Sequence, residues 1–316
     1  MTEDGSIYVW IPRYSYKIVS GYHKAVKSWN SDFVDGTEDE IGKIEIKFSD
    51  GVKDDTLDGF RLHPAFTFGE DELLGFWFAK YTASRLDATE SFYGYRDIAS
   101  FRPNVQMWRN ITIYQAVEYA YKVNREMDSH LVKNIEWGAV AYLTNAIGRI
   151  PYINPSDDYI TGIANETQEG EFHSKKYLWN TPEGVKASTT HNIYGIYDMS
   201  GGAKEYVFAY YSGHNNYQLK QFNKYEEKYK DVYNNVYSDD EIGNDLWEII
   251  ENTYDACFYS WDNDGIALPY YSLCFITRGG EWGLSSGSGI FSFHYTDGKD
   301  HGDISFRVVL PVKYIA

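Results

Sequence analysis

The residues with the most chemistry to offer lie near the end of the chain, in segment 278–310. This segment opens with RGGEW at 278–282, continues with GIFSF at 289–293 and closes with SFRVVL at 305–310. Glycine and aromatic residues form a frame, and the small, polar and aromatic residues between them follow no packing period. Because a buried element would repeat its hydrophobic spacing, the pattern predicts side chains that are presented for binding.

Part of the same segment, residues 283–287 (GLSSG), fits the G-x-S-x-G pattern of serine hydrolases. A hydrolase nucleophile at such a site needs a strand before it and a helix after it. Here the strand-like residues 289–293 follow, and the candidate partners Asp297 and His301 are only loop residues away. The sequence therefore favours a turn over a hydrolase site.

Metal chemistry has little support in the sequence. Cys257 and Cys274 lack zinc-site spacing, and the eight histidines are scattered singly. We expect two buried thiols, with one disulfide as the alternative. Residues 260–265 (SWDNDG) partly resemble a calcium loop, but Tyr271 stands where the bidentate acid belongs, which favours a turn. We expect no cofactor, and a structural calcium ion elsewhere in the fold stays an open alternative.

The composition argues against two classes of partner. The 316 residues include 29 Lys and Arg against 46 Asp and Glu, a formal net charge of −17. Such a charge repels nucleic-acid phosphates and anionic membranes. The sequence contains no run of about 18 apolar residues, so it gives no indication of membrane insertion. The 30 tyrosines, in contrast, are typical of β-rich surfaces and binding faces.

The first residues, 1–6 (MTEDGS), are acidic and do not resemble a signal peptide. The expectation is that the protein is made in the cytoplasm and used elsewhere, or that an upstream segment is absent from this chain.

Segment 278–310, which we call the display segment, must be positioned by elements that are predicted upstream of it. Residues 7–11, 14–18, 43–48 and 75–81 predict strands, and residues 49–51 (SDG) indicate a hairpin turn. Helices are predicted at 113–121, after Thr112, and at 135–143, with Asn134 as the cap. Trp10, Trp77 and Trp137 are expected in the core.

The remaining segments carry weaker signals. Residues 153–192 predict loops, and residues 207–277 are interpreted as an insertion. Within that insertion, residues 238–241 (SDDE) fit a capping box ahead of a short amphipathic helix. With no linker and no repeat, we expect a single domain over 1–316, with a strand-rich part at 1–60.

Four blocks of the sequence together resemble the formylglycine-generating-enzyme group of the C-type lectin fold. They are residues 75–81 (GFWFAKY), 131–137 (LVKNIEW), 192–206 (NIYGIYDMSGGAKEY), and 278–282 (RGGEW) with the closing 305–307 (SFR). Their order and spacing cover about residues 75–310. The resemblance implies an irregular, loop-rich α+β fold in which two main helices pack on short antiparallel sheets.

Within that group the sequence is most similar to the variable proteins of diversity-generating retroelements, including prophage-encoded ones. Their frame of Gly, aromatic and Arg positions is retained between residues 278 and 307, and the positions between are diversified in that family. The resemblance implies ligand contacts by Glu281, Trp282, Gly283, Leu284, Gly287, Ser292, His294, Tyr295, Thr296 and Asp297. It implies scaffold roles for Asn192, Asp198, Arg278, Gly279, Gly280, Phe306 and Arg307. Residues 299–303 are expected to border the same surface.

The sequence departs from the family pattern at several positions. Such retroelements mutate adenines in mostly Asn-type codons, which cannot yield Glu281 or Lys299. Gly202 and Lys204 replace the Asn and Trp of the enzyme branch. That branch also binds copper through a Cys pair after its RGGW block, whereas residues 281–310 contain no Cys. Glu281 and Lys299 are therefore fixed, or the chain is a homologue without an active retroelement.

The resemblance implies a non-enzymatic protein that binds a protein or glycan receptor on a cell surface. Its expected place is a virion or cell surface, and otherwise the cytoplasm. One alternative is a metal-dependent oxidase or oxygenase of the formylglycine-generating type with atypical ligands. Another is a structural component of a virion or surface. The ligand and the oligomeric state stay open.

Overall fold

A computed structural model describes residues 1–20, 42–49, 54, 56–165, 176–212, 217–234, 243, 258–259, 261, 264–267, 269 and 273–313. In these residues the chain is a mixed α+β protein, in which two α-helices accompany several small sheets and long loops. No helix among them is long and apolar enough to cross a membrane.

The helices are α1 (Ile113–Val123) and α2 (Asn134–Ala146). The strands are β1 (Tyr8–Pro12), β2 (Tyr14–Ser20), β3 (Lys43–Phe48), β4 (Arg61–Leu62), β5 (Thr67–Phe68), β6 (Asp71–Ala79), β7 (Ser84–Arg85), β8 (Ala99–Ser100), β9 (His130–Leu131), β10 (Ile163–Ala164), β11 (Tyr177–Leu178), β12 (Lys204–Tyr211), β13 (Asp231–Tyr233), β14 (Phe258–Tyr259), β15 (Gly265–Ile266), β16 (Phe275–Arg278), β17 (Phe293–Thr296), β18 (Ile304–Phe306) and β19 (Val308–Lys313).

The first sheet joins the two ends of the described chain. Its strand order is β1-β6-β19-β9, and β5 pairs with β6. Along β6 the side chains alternate between two faces, so Phe76 and Phe78 are fully buried while Trp77 between them is 38 % exposed. Trp137 is buried as predicted, but the prediction of a core position is wrong for Trp77 and for its cross-strand partner Trp10, because both lie on the outward face of this sheet.

The second sheet carries the display segment. Its order is β13-β12-β16-β17-β15-β14, and β18 also pairs with β12. Three of its pairs are parallel, namely β12 with β13, β12 with β18, and β15 with β17. This sheet is therefore mixed, whereas the other sheets are antiparallel as expected.

The strand-rich opening of the chain forms a small sheet of order β3-β2-β4. The predicted strand at 43–48 matches β3, but its partner is the preceding β2 rather than a following hairpin strand. Residues 50–51 of the expected turn lie outside the described residues.

Helix α1 confirms its prediction closely. Thr112 caps it: the Thr112 hydroxyl accepts from the Gln115 backbone N–H at 3.2 Å, and the Gln115 side chain accepts from Thr112 N–H at 3.0 Å. The buried face consists of the predicted apolar positions Ile113, Ala116, Val117 and Ala120.

Helix α2 begins one residue earlier than predicted. Lys133 is its N-cap residue, and Asn134 is the first helical residue. The Glu136 carboxylate accepts from the Lys133 backbone N–H at 2.8 Å and so satisfies one donor at the helix start. The side chain of Asn134 is thereby left to bond Tyr233 at 3.1 Å. The prediction of Asn134 as the cap is wrong for this reason.

Segment 153–192 is mostly loop, with only β10, β11 and a 3-10 turn at Gly184–Ala187 as regular structure in its described part. Of the two cysteines, Cys274 is buried as predicted. Cys257 and the helix predicted after residue 238 lie outside the described residues.

Candidate functional site

The display segment doubles back on the second sheet. β16 leads into a turn at Gly279 and Gly280, a 3-10 turn follows at Trp282–Gly287, and β17 returns antiparallel to β16. Loop 297–303 then leads to β18, which pairs with the start of β12. The G-x-S-x-G pattern thus lies on a 3-10 turn that leads to a strand, which lacks the strand-to-helix geometry of a hydrolase nucleophile.

Arg278 anchors the start of the segment. Its side chain is fully buried, and its guanidinium donates to Asn134 Oδ1 at 2.9 Å and to the carbonyl oxygen of Ile290 at 3.3 Å. Gly279 and Gly280 follow with φ values of +85° and +67°, which L side chains rarely adopt. Glycine at both positions therefore lets the backbone reverse directly after the anchored arginine.

Arg307 anchors the end of the segment. It is fully buried beside Phe306, and its guanidinium binds both carboxylate oxygens of Glu205, with the Nε–Oε2 bond at 2.6 Å. The same guanidinium donates to the Tyr197 carbonyl oxygen at 3.1 Å, and the Thr82 hydroxyl donates to Glu205 at 2.7 Å. The charge pair is thus satisfied on both sides, as burial requires.

Asp198 and Asn192 organise the loop before β12 in different ways. Asp198 is buried and accepts from Asn154 Nδ2 at 2.9 Å and from Gly162 N–H at 2.8 Å. Burial raises the pKa of Asp198 to about 6, and the hydrogen bond from Gly162 opposes that rise. Asn192 is exposed, and its side-chain oxygen accepts from Tyr194 N–H at 2.8 Å, which closes a local turn.

Most of the predicted ligand-binding residues have solvent access. Gly283 is exposed, and seven of the others are partly exposed. The structure thus leaves open to solvent Glu281, Trp282, Gly283, Leu284, Gly287, His294, Tyr295 and Asp297, which we call the display surface.

Ser292 and Thr296 do not belong to that surface. Ser292 is fully buried, and its hydroxyl donates to the carbonyl oxygen of Gly265 at 3.1 Å. Thr296 is 6 % exposed, and its hydroxyl accepts from Gly298 N–H at 3.3 Å. Both hydroxyls satisfy backbone groups inside the sheet, so the prediction that they contact ligand is wrong.

Glu281, Lys204 and Asp303 form a charged cluster at the edge of the display surface. Lys204 Nζ lies 3.6 Å from Glu281 Oε2 and 3.1 Å from Asp303 Oδ2. Burial raises the pKa of Glu281 to about 7, and its hydrogen bond with Asp303 acts in the same direction. The two carboxyl groups therefore share one proton near neutral pH. This contact also brings the expected border loop, 299–303, beside Glu281.

His294 lies on β17 and is partly exposed. Burial, together with the charges of Lys204 and Arg278, lowers its pKa to about 4, so the imidazole is neutral at pH 7. The Nε2 atom is enclosed and has no hydrogen-bond partner among the described residues. Its free hydrogen-bonding capacity distinguishes His294 from the other predicted contacts.

A stack of side chains missed by the sequence reasoning supports Trp282. The indole N–H of Trp282 donates to the hydroxyl of Tyr159 at 2.9 Å, and the Arg109 guanidinium lies 3.8 Å from the centre of the Tyr159 ring. Arg109 also donates to the carbonyl oxygen of Gly302. Tyr159 and Arg109 come from loops far from segment 278–310, and no local motif marked either residue.

Asp297 is held by its own loop. Burial alone would raise the pKa of Asp297, but hydrogen bonds from Lys299 and His301 bring it down to about 2. Lys299 Nζ and His301 Nε2 lie 2.7 and 3.0 Å from the carboxylate. Asp297 therefore presents a charge that is already partly compensated.

The described residues contain no group of three or more His, Cys, Asp or Glu side chains that could hold a metal ion. Of the calcium-like residues 260–265, Asp264 is described, buried, and accepts from Phe291 N–H at 2.7 Å. Ser260, Asp262 and Asn263 lie outside the described part of the chain.

Compared with known protein families and with curated protein sequences, the chain shows no match to any.

Proposed function

We propose that this chain is a non-enzymatic ligand-binding protein on a C-type lectin scaffold. In this proposal the display surface recognises a protein or glycan receptor on a cell surface, and the chain itself is located on a virion or a cell surface. One observation supports it above the others: within five residues the chain passes from fully buried Arg278 to exposed Gly283. Anchored and open positions thus alternate in the same segment that resembles the variable region of retroelement-diversified proteins.

The chemistry of the display surface suits recognition of a varied ligand. Trp282 and Tyr295 offer rigid aromatic area, and Gly283 and Gly287 leave room for close approach. Leu284 adds an apolar contact that is partly open to solvent. Because the anchors lie elsewhere, changes at these positions can alter specificity at little cost in stability.

The nucleotide sequence around the gene tests the diversification part of the proposal. We expect a nearby reverse-transcriptase gene and a near-copy of the codons for residues 278–307. The copy should differ mainly at adenines, in codons for the display surface other than that of Glu281, and should match the gene at Glu281 and Lys299. Absence of both the copy and the reverse transcriptase would mean that the chain is a homologue without an active retroelement.

Binding itself is tested with the labelled full chain on arrays of glycans and of surface proteins. For a captured ligand, Tyr295→Ala is expected to weaken binding about ten-fold or more, because buried aromatic anchors dominate interfaces. Tyr194→Ala is the matched control, since Tyr194 is 79 % exposed and lies outside the display surface. Equal effects of the two substitutions would contradict the proposed surface.

A further inference from the structure

A cavity of about 620 Å³ opens beside the C-terminal part of α1. None of its lining residues belongs to the display surface. Its apolar wall is made by Tyr8, Trp77, Ile98, Tyr119, Met127 and Leu310. The volume is that of small-molecule binding sites, which are typically concave, largely apolar and supplied with a few polar groups.

The outward face of the first sheet forms one wall. Trp10, Trp77 and Leu310 are cross-strand partners on β1, β6 and β19, and their side chains share that face. The rings of Trp10 and Trp77 lie 5.2 Å apart. Trp77 therefore has an aromatic neighbour that supports it and an open side toward the cavity.

Two of the three charged side chains that line the cavity are neutralised by neighbours; Met1, which carries the α-ammonium group, also lines it. Lys122 pairs with Glu118 at 3.3 Å, one turn earlier on α1. Asp97 pairs with Arg85 at 3.2 Å and accepts from the Tyr119 hydroxyl at 3.2 Å. These two residues therefore leave little net charge at the cavity.

Asp4 is the third charged residue, and it has no basic partner among the described residues. Its carboxylate accepts from the Ser6 hydroxyl at 2.7 Å, from the Ser6 backbone N–H at 3.1 Å and from the Thr2 hydroxyl. Burial alone would raise the pKa of Asp4, but these hydrogen bonds hold it below its usual value. Asp4 is therefore an oriented carboxylate without a salt bridge among the described residues, and its charge helps to raise the pKa of Tyr8.

We propose that this cavity binds a small organic cation with an apolar body, of the quaternary ammonium class. The ammonium group lies beside Asp4 and the ring of Tyr8, and the apolar body packs against Trp77. Aromatic faces attract such cations electrostatically, and the attraction grows when water is excluded. A carboxylate at the rim adds charge complementarity that a neutral or anionic ligand cannot use. This site is independent of the display surface and of its proposed function.

Calorimetric titration of the full chain with three ligands of similar body tests the proposal. Benzyltrimethylammonium supplies the cation, benzyl alcohol the neutral analogue and phenylacetate the anion. We expect the cation to bind at least about five-fold more tightly than either analogue. Trp77→Leu should weaken binding of the cation, since it removes the aromatic wall.

The charge requirement is tested by Asp4→Asn, with Glu3→Gln as the matched control. Glu3 is the exposed neighbour of Asp4 and does not line the cavity. Asp4→Asn should weaken binding of the cation about five-fold and leave the affinity for benzyl alcohol unchanged, whereas Glu3→Gln should change neither affinity. Equal affinity for the three ligands, no binding of the cation, or equal effects of the two substitutions would each overturn the proposal.

Discussion

Lys204 and Glu205 are neighbours at the start of β12, yet their side chains serve two different regions. Successive side chains of a strand point to opposite faces. Glu205 therefore points into the core, where it and Arg307 are both fully buried. Lys204 points the other way, toward Glu281 and Asp303, in a cluster whose side chains are 18–28 % exposed.

The difference between these two ionic groups distinguishes residues that stabilise the fold from residues that are exposed for binding. The Arg307–Glu205 pair has excluded water, so each charge depends on the other and neither can be changed alone. The Glu281–Lys204–Asp303 cluster retains solvent, so water can compensate for an altered charge. One peptide bond thus divides a position that must be kept from one that can vary.

The largest expected effect comes from breaking the buried pair. Arg307→Met leaves the Glu205 carboxylate buried without a cation, and we expect the free energy of unfolding to fall by about 3–5 kcal/mol. Urea denaturation measures the change. The double variant Arg307→Met with Glu205→Gln should recover part of the loss. A loss below about 1 kcal/mol for the single variant would remove the distinction between the two regions.

A smaller effect is expected from the turn at Gly279 and Gly280, which lies between buried Arg278 and Glu281. Gly280→Ala adds a Cβ at φ +67°, 2.6 Å from the Cα atom of Ser288, which should cost about 1–3 kcal/mol. Gly283→Ala is the control, because no atom lies within 4 Å of the added Cβ. Its free energy of unfolding should stay within about 0.5 kcal/mol of the parent. Similar losses at both positions would show that the display surface is as constrained as the turn.

The cluster itself should make stability depend on pH. The pKa of Glu281 rises from 4.5 to about 7 on folding, so the folded protein binds this proton more tightly than the unfolded chain. The resulting stability is complete below pH 4.5 and is lost as the pH rises through about 7. The lowered pKa of Asp303 has the opposite sign and acts at lower pH.

Glu281→Gln isolates this contribution, because the neutral amide keeps a donor for Asp303. Between about pH 5 and 8.5 the free energy of unfolding of the parent should fall by on the order of 1 kcal/mol relative to that of the variant. Urea denaturation of both proteins at each pH measures the difference, and other titrating groups such as His294 cancel in the comparison. Parallel pH profiles would show that the two carboxyl groups do not share a proton.

The smallest effects on stability are expected at the display surface. Leu284→Ala and Tyr295→Ala should shift the free energy of unfolding by no more than about 1 kcal/mol, because both side chains are partly exposed. Thermal unfolding measures this directly. A loss of many degrees in both variants would mean that the residues belong to the core.

Local patterns of the sequence predicted the elements well. The capping residue and the apolar face of α1 are set by neighbours three or four residues away, so its start and its buried face were correct. The scaffold roles of Arg278 and Arg307 were expected from the family resemblance of the segments that contain them, and both side chains are buried. The features of α1, in contrast, depend on short-range order that a sequence displays directly.

Contacts between distant segments were not predictable in the same way. The Arg109–Tyr159–Trp282 stack joins three loops that share no periodicity, and the parallel pairing of β12 with β18 follows from the path of the whole chain. The family resemblance implies that Ser292 contacts ligand, and a small polar residue gives no sign of its burial in the sequence. Its actual partner, the carbonyl oxygen of Gly265, is 27 residues away in sequence.

A positional scan of residues 278–307 tests most directly whether the positions that stabilise the fold differ from the positions that are exposed for binding. Every residue in this range would be replaced by all others, and protease resistance would measure the folded fraction of each variant. We expect broad tolerance at Gly283, Leu284 and Tyr295, and intolerance at Arg278 and Arg307. Equal intolerance across the segment, or greater tolerance at the two arginines, would contradict this prediction.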